Sequence, residues 1–448
     1  MNIILLSGGS GKRLWPLSNE VRSKQFLQLL TDENGKHESM VQRVYGQIQA
    51  AGIDANIVVA TSQSQRDSIR RQLGKKVDIV VEPVRRNTFP AIVLAASYLT
   101  SVKHVAPDET VIVLPVDPYV DLAYFETFLK MDKAVQRDEA DMVLMGIAPS
   151  YPSAKYGYIL CKEEDGKRIV TGFKEKPDET TAAALIEQGA LWNGGVFAFK
   201  LSYLQKITRD CLSTISFDEV LAHYTDLKKD SFDYEVVEKA DSLAVVPYEG
   251  QWKDIGTWNT LTEVMQETSI GDTIMGEQCV NTHVINELSI PVVTIGTENI
   301  VVAASPDGIL ISDKKKSSYI KPYVENLDAR PRYEESIWGD YKVLDYSQYE
   351  DGHRSLIKQI QVSAGKYLDY LYHEHKDVVW TIVDGQGYLT TEGVTTIARS
   401  GDVFHFRAGD KHGIKAITDL HLVEVQMGSE LSEEDVIKVE QDTDSISL

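Results

Sequence analysis

Gly8, Gly9 and Gly11, followed by Arg13 and then Lys24, are the groups of this chain best suited to hold a phosphate. Glycine permits close approach and positive φ, so the amides of Ser7, Gly8, Gly9 and Gly11 can line an anion-binding concavity. Arg13 adds a forked donor and Lys24 a compact charge. Farther along, Asp117 closes the apolar run Leu114-Pro115-Val116, and Asp254 stands inside Trp252–Trp258. Two carboxylates brought together can hold a hard cation through oxygen, as Mg²⁺ requires. The stretch Glu82-Pro83-Val84-Arg85-Arg86-Asn87-Thr88 offers donors and acceptors for a base or ribose, and Phe173–Pro177 and Trp192–Phe197 add charged and amide groups. Jointly these are the parts for displacement at a nucleotide phosphorus, where the protein positions its reactants and neutralises charge.

Each part has a blander role when taken alone. Asp117 is then a strand-end residue, Lys174–Lys176 a solvated surface, and the tryptophans packing groups. Two other glycine motifs are excluded. Gly11-Lys12 is followed by Arg13, which breaks the P-loop pattern. Leu14 stands where the dinucleotide fingerprint Gly-x-Gly-x-x-Gly needs its last glycine.

The glycines follow Ile3-Ile4-Leu5-Leu6, an apolar run that predicts a buried strand opening into a turn. Strand-like runs at Asn56–Ala60, Val77–Val81, Val111–Pro115 and Asp141–Gly146 alternate with helical patterns such as Met40–Ala50 and Ala91–Ser101. That alternation predicts a layered α/β domain with a mostly parallel sheet over residues 1–265. In such sheets ligands bind beyond the carboxyl ends of the strands. Residues 266–332 carry short strands at Val292–Ile295, Ile300–Ala303 and Gly308–Ile311, suggesting a small β-helix-like unit and a linker. From 333 to 448 glycine turns separate all-β segments, which predicts a jelly-roll barrel.

A chain of 448 residues accommodates two or three domains. Its formal net charge of −21 argues against a nucleic-acid or anionic-membrane partner. No apolar run reaches the length of a membrane span and no cleavable leader is evident, so a cytoplasmic location is expected. Cys161, Cys211 and Cys279 form neither a disulfide framework nor a CxxC metal pattern. The acidic stretch Glu430–Asp444 is expected to be a solvated surface or a terminal helix.

The order of these segments resembles the nucleoside-diphosphate-sugar pyrophosphorylases, most closely the long mannose-1-phosphate guanylyltransferases with a cupin tail. The family's GGSGTRLWPLS reads GGSGKRLWPLS here, its PKQF reads SKQF, and its EPxGRNTAPAI reads EPVRRNTFPAI. LPADH reads LPVDP, GYGYI is matched at Tyr156–Ile159, EKP at 175–177, WNSG by WNGG, and WxDxGxW at 252–258. The resemblance implies a Rossmann-like nucleotidyltransferase domain that joins GTP to mannose 1-phosphate with Mg²⁺, serving GDP-mannose and polysaccharide biosynthesis. It implies that Arg13 and Lys24 stabilise the phosphates and that Asp117 and Asp254 hold the metal. Ser7, Gly8, Gly9, Gly11, Glu82, Arg86, Asn87 and Thr88 would line the nucleotide, and Gly157, Glu175, Lys176 and Asn193 the sugar phosphate. A homo-oligomer, a dimer, is the expected assembly. Arg85, Phe89, Pro118 and Gly194 depart from the pattern, leaving another base or sugar 1-phosphate as the alternative. A non-catalytic sugar-nucleotide sensor would have lost some of Arg13, Lys24, Asp117 and Asp254, and all four are present.

The tail resembles type II phosphomannose isomerase domains. His373, His375 and His412 have the spacing of a cupin site for Zn²⁺ or another divalent transition metal. The family's glutamate is Val378 here, and the arginine after the distal histidine is Gly413. A structural barrel that keeps its histidines for packing is therefore favoured over an active isomerase, with a bifunctional enzyme as the alternative.

Overall fold

The computed structural model describes residues 1–9, 11–164, 167–327 and 331–439. The chain divides into two compact units, one of residues 1–14 and 23–267, the other of 15–22 and 268–448.

The first unit is built on a nine-stranded sheet. Its interior strand Asn2–Ser7 pairs in parallel with Asn56–Ser62 on one side and Thr110–Pro115 on the other. Asp78–Glu82 extends the parallel half, while Leu191–Lys200 runs antiparallel to Thr110–Pro115 and leads into the other half. Helices cover both faces, so the strands are apolar along their length rather than alternating. Ile3 and Leu5 pack with Val41, Val44 and Phe125 on one face. Ile4 meets the Thr88–Ser101 helix on the other, through Ile92 and Ala95. The Met40–Ala50 helix starts at Ser39 with a reciprocal capping box to Gln42.

The decisive local pairing is a two-stranded ribbon outside this sheet. Trp252–Asp254 lies antiparallel to Pro118–Val120, with Asp254 opposite Pro118. That register sets Asp254 beside Asp117.

In the second unit, short strands at Ser269–Ile270, His283–Asn286 and Ile300–Ser305 pair in parallel, as do Thr273–Met275 and Val292–Thr294. The parallel stacking is β-helix-like, whereas Ile300–Ser305 and Gly308–Asp313, two of the strands expected for that unit, pair antiparallel as a hairpin. The segment 15–22, the second half of the glycine signature, belongs here. Arg22 forms a bidentate pair with Glu287 at 2.7 and 2.9 Å, Asn19 donates to Asp307, and Ser305 donates to the Pro16 carbonyl. The signature is thus two structural pieces, and only its first half carries the phosphate-loop geometry.

The tail forms a six-stranded and a five-stranded sheet around Val378, Trp380, Ile382, Leu389 and Leu422. Glu430–Asp444 is neither helical nor wholly solvated where described. Asp435 accepts from the Glu374 and His375 amides, and Ile437–Lys438 pairs with the Tyr367–Tyr372 strand. Residues 440–444 lie outside the described residues.

Candidate functional site

The glycine turn is held by the chain around it. Thr61 Oγ1 donates to the Ser7 carbonyl, and the Gly9 carbonyl accepts from Ser23 Oγ and Gln65 Nε2. Gly11 sits at φ +64°, and a Cβ there would lie 2.7 Å from the Lys24 amide nitrogen. Only glycine fits that position. Around Gly9 the space is open, which leaves its amide approachable. The turn opens on a cleft of about 280 Å³ that Ser7, Gly8, Gly9, Lys24, Glu82, Asn87, Thr88 and Asp117 help to line.

The cleft has a polar floor. Glu82 is buried and accepts from the Tyr224 hydroxyl at 2.5 Å. Burial pushes its carboxyl up, against the lowering effect of that hydrogen bond. Asn87, at φ +73°, caps the Thr88–Ser101 helix through the Thr88 amide. Arg85 and Arg86 are divided differently from expectation. Arg85 lines the cleft, 3.3 Å from Ser62 and Ser64. Arg86 is not among the cleft-lining residues and donates to the Leu227 carbonyl. The residue of the loop that departs from the family pattern is therefore the one that lines the cleft.

At one end of the cleft, Lys24 stands between the two aspartates. Its Nζ lies 2.9 Å from Asp117 Oδ2 and 3.9 Å from Asp254 Oδ1. Burial would lower the Lys24 pKa, but the two carboxylates outweigh it and raise the value. Burial would raise Asp117, and Lys24 holds it below the ordinary carboxylate range instead. The Gly256 amide donates to Asp254 Oδ1, and a Cβ on Gly256 would sit 3.3 Å from Lys24 Nζ. Arg13 is exposed in the following 3₁₀ turn, and its charge reaches Lys24, opposing the aspartates.

A hard divalent cation fits these donors. Two carboxylates that both reach one ammonium can both reach one ion, and Mg²⁺ is commonly held by one or two carboxylates plus substrate phosphates. Among the described residues no cluster of three or more His, Cys, Asp or Glu side chains has metal-holding geometry. An ion here would complete its shell with substrate and water.

A second polar group is built from Gly157, Glu175, Lys176 and Asn193. A Cβ on Gly157 would fall 2.5 Å from Glu175 Oε2. Glu175 is buried and paired with Lys176, and the Asn193 amide donates to the Gly157 carbonyl. Asn193 Nδ2 donates to Asp233 Oδ1 at 2.6 Å. Burial, then Glu175, pushes the Asp233 carboxyl up to about 6. Tyr156 packs on Trp192 and Trp252 with centroids 5.0 and 5.2 Å away. The aspartates' charges reach Tyr156, so this aromatic cluster lies between the two polar groups. Asp233, Gln65 and Tyr224 escape a reading by motif. The one available signal was Ser231-Phe232-Asp233-Tyr234, a capping serine ahead of a short helix.

In the tail, the three histidines are not assembled into a ligand set. His412 is stacked flat on Phe406, centroids 4.1 Å apart, with Trp380 edge-on. The His373 ring centroid is 5.6 Å from that of His412. His375 is 62% exposed and faces Asp435. Val378, at the position where the family has its glutamate, is fully buried. Burial pushes His412 down to about 4, as befits a neutral ring used for packing. A coupled assay of hexose 6-phosphate isomerisation with added Zn²⁺, Co²⁺ or Mn²⁺ is accordingly expected to stay at background. Turnover above it would show that the barrel rearranges around a metal.

Residues 2–270 match the nucleotidyl transferase family, and residues 330–441 the mannose-6-phosphate isomerase C-terminal family. The xanthan biosynthesis protein XanB of Xanthomonas campestris pv. campestris strain B100 is 32% identical, covering 98% of this chain and 97% of its own. The mannose-1-phosphate guanylyltransferase of Escherichia coli K12 is 30% identical, covering 97% of each. A crystal structure described as a mannose-1-phosphate geranyltransferase from Thermus thermophilus superposes with a TM-score of 0.61. It is 30% identical and covers 73% of this chain and 99% of that one. No helix among the described residues is long and apolar enough to cross a membrane.

Proposed function

The chain belongs to the nucleotidyl transferase family, and we propose that it transfers GMP from GTP to mannose 1-phosphate, giving GDP-mannose and pyrophosphate. The observation that carries this reading is the Lys24 ammonium between Asp117 and Asp254 at the end of a glycine-walled cleft. Full-length similarity to a mannose-1-phosphate guanylyltransferase supports the choice of substrates.

In this reading the amides of Gly8 and Gly9 receive the triphosphate, and Glu82, Asn87 and Thr88 face the nucleoside. Arg85 is added to them in place of Arg86. An oxygen of the sugar phosphate attacks the α-phosphorus in line, and the bond to the pyrophosphate oxygen breaks. Lys24 bridges phosphate oxygens near the reacting centre, and Arg13 neutralises charge building on the departing pyrophosphate. Asp117 and Asp254 would hold Mg²⁺, which supplies charge neutralisation at the phosphates. Glu175, Lys176 and Asn193, with Gly157 leaving them room, receive the sugar phosphate.

Pyrophosphate release measured across GTP, ATP, UTP and dTTP, each with a panel of hexose 1-phosphates, tests the proposal. The highest kcat/KM is expected for GTP with mannose 1-phosphate. Preference for another nucleotide would overturn the base assignment and would trace first to Arg85, the residue by which this loop departs from its family.

A further inference from the structure

We propose that Asp233 is a specificity-determining residue, whose carboxylate, together with that of Glu175, accepts hydrogen bonds from neighbouring hydroxyls of the sugar ring. The inference rests on the reading of this site as the sugar-phosphate subsite. Asp233 lies on the short helix Phe232–Glu235, far in sequence from Glu175 and Asn193, and the fold brings it to both.

Asn193 engages Asp233 Oδ1 at 2.6 Å, and the Gly195 amide in turn donates to Asn193 Oδ1. The Asn193 amide is therefore locked, and it aims Asp233 rather than spending all of its acceptor capacity. Among the described residues no other side chain donates to Asp233. Lys176 is paired with Glu175 and lies 5.9 Å from the centre of the Tyr234 ring. One half-exposed cation thus serves a buried carboxylate, Glu175, and a partly buried one, Asp233. Burial of an acceptor without full compensation costs stability, and hydroxyl donors from a bound sugar would supply what is lacking. Two carboxylates close enough that the charge of Glu175 reaches Asp233 offer several lone pairs to a vicinal diol, because an ionised carboxylate only accepts. A site built to bond particular hydroxyls also rejects analogues that lack or invert them more sharply than an apolar pocket can.

The same geometry has a stability consequence with a definite sign. Asp233 in the fold is pushed from 3.8 up to about 6 by burial and by Glu175, with Lys176 and Asn193 opposing. Its ionised form is the one the fold disfavours, so the penalty is absent below about pH 4 and complete above about pH 6. Asp233→Asn keeps an acceptor for Asn193 and removes the charge. It is expected to raise the melting temperature at about pH 8 and to leave it unchanged near about pH 4.

The deciding experiment is steady-state kinetics of Asp233→Asn with mannose 1-phosphate and its 2-, 3-, 4- and 6-deoxy analogues. KM for mannose 1-phosphate is expected to rise roughly tenfold to a hundredfold, with KM for GTP and kcat within about threefold, as for loss of uniform binding. One or two deoxy analogues should lose affinity with the parent enzyme and show no further loss with the variant. Equal deoxy penalties in both enzymes would overturn the proposal, as would an unchanged KM. If the parent enzyme prefers another hexose 1-phosphate, the substrate assignment fails, and the deoxy series of that sugar tests Asp233 in its place. Glu175→Gln gives a second, independent arm through a different hydroxyl.

Discussion

Asp117→Asn and Asp254→Asn are each expected to lower kcat by about a thousandfold while leaving the fold intact. Transition-state charge at a metal-bridged phosphate is worth several kcal/mol, and each increment of about 1.4 kcal/mol is a factor of ten. The amide keeps the volume of the acid and one oxygen, so the Trp252–Asp254 ribbon and its pairing with Pro118–Val120 should survive. The two variants should differ in one respect. Asp117 is the closer partner of Lys24, so its loss also frees the ammonium, whereas Asp254→Asn leaves that pair in place. Measured across Mg²⁺ concentration, both should need far more metal for half-maximal rate. Near-normal turnover in either variant would remove that side chain from the ligand set.

Lys24→Met should lower kcat/KM by about a hundredfold to a thousandfold and change how the protein responds to metal. With the ammonium in place, the aspartate pair is already compensated and Asp117 is held ionised. Without it, two carboxylates face each other with no cation between them. In EDTA the variant should therefore be less stable than its parent by about 1–2 kcal/mol, the range for a partly exposed charge-assisted hydrogen bond. Because Lys24 lowers the Asp117 pKa in the fold, its contribution is present above the ordinary carboxylate value and is lost as pH falls through the lowered one. The gap between variant and parent should close in acid. Added Mg²⁺ binds only the folded pair and should raise the variant's melting temperature more than the parent's. Equal Mg²⁺ shifts in the two proteins would show that the ion binds elsewhere.

Local patterns were legible where chemistry and chain direction coincide. The run Ile3–Leu6 opening into glycines, the helix Met40–Ala50 behind its capping serine, and Asp117 at the end of a strand all follow from neighbouring residues. Longer-range consequences were not. Nothing local separates Arg85 from Arg86, yet one lines the cleft and the other is taken by the Leu227 carbonyl. The tail histidines have ligand spacing, but among the described residues they form no metal-holding group, and Phe406 from another strand stacks on His412.

Residue types alone determined that this chain handles phosphates: close-packed glycines, fixed cations and carboxylates placed after apolar strands have few other uses in combination. Which of those groups meet was decided by pairing between segments more than a hundred residues apart. A register such as Asp254 opposite Pro118 is set by ladder hydrogen bonds and buried side chains contributed by both partners, so neither segment contains it. The same reason hid Asp233, whose role exists only because Asn193 and Glu175 arrive beside it.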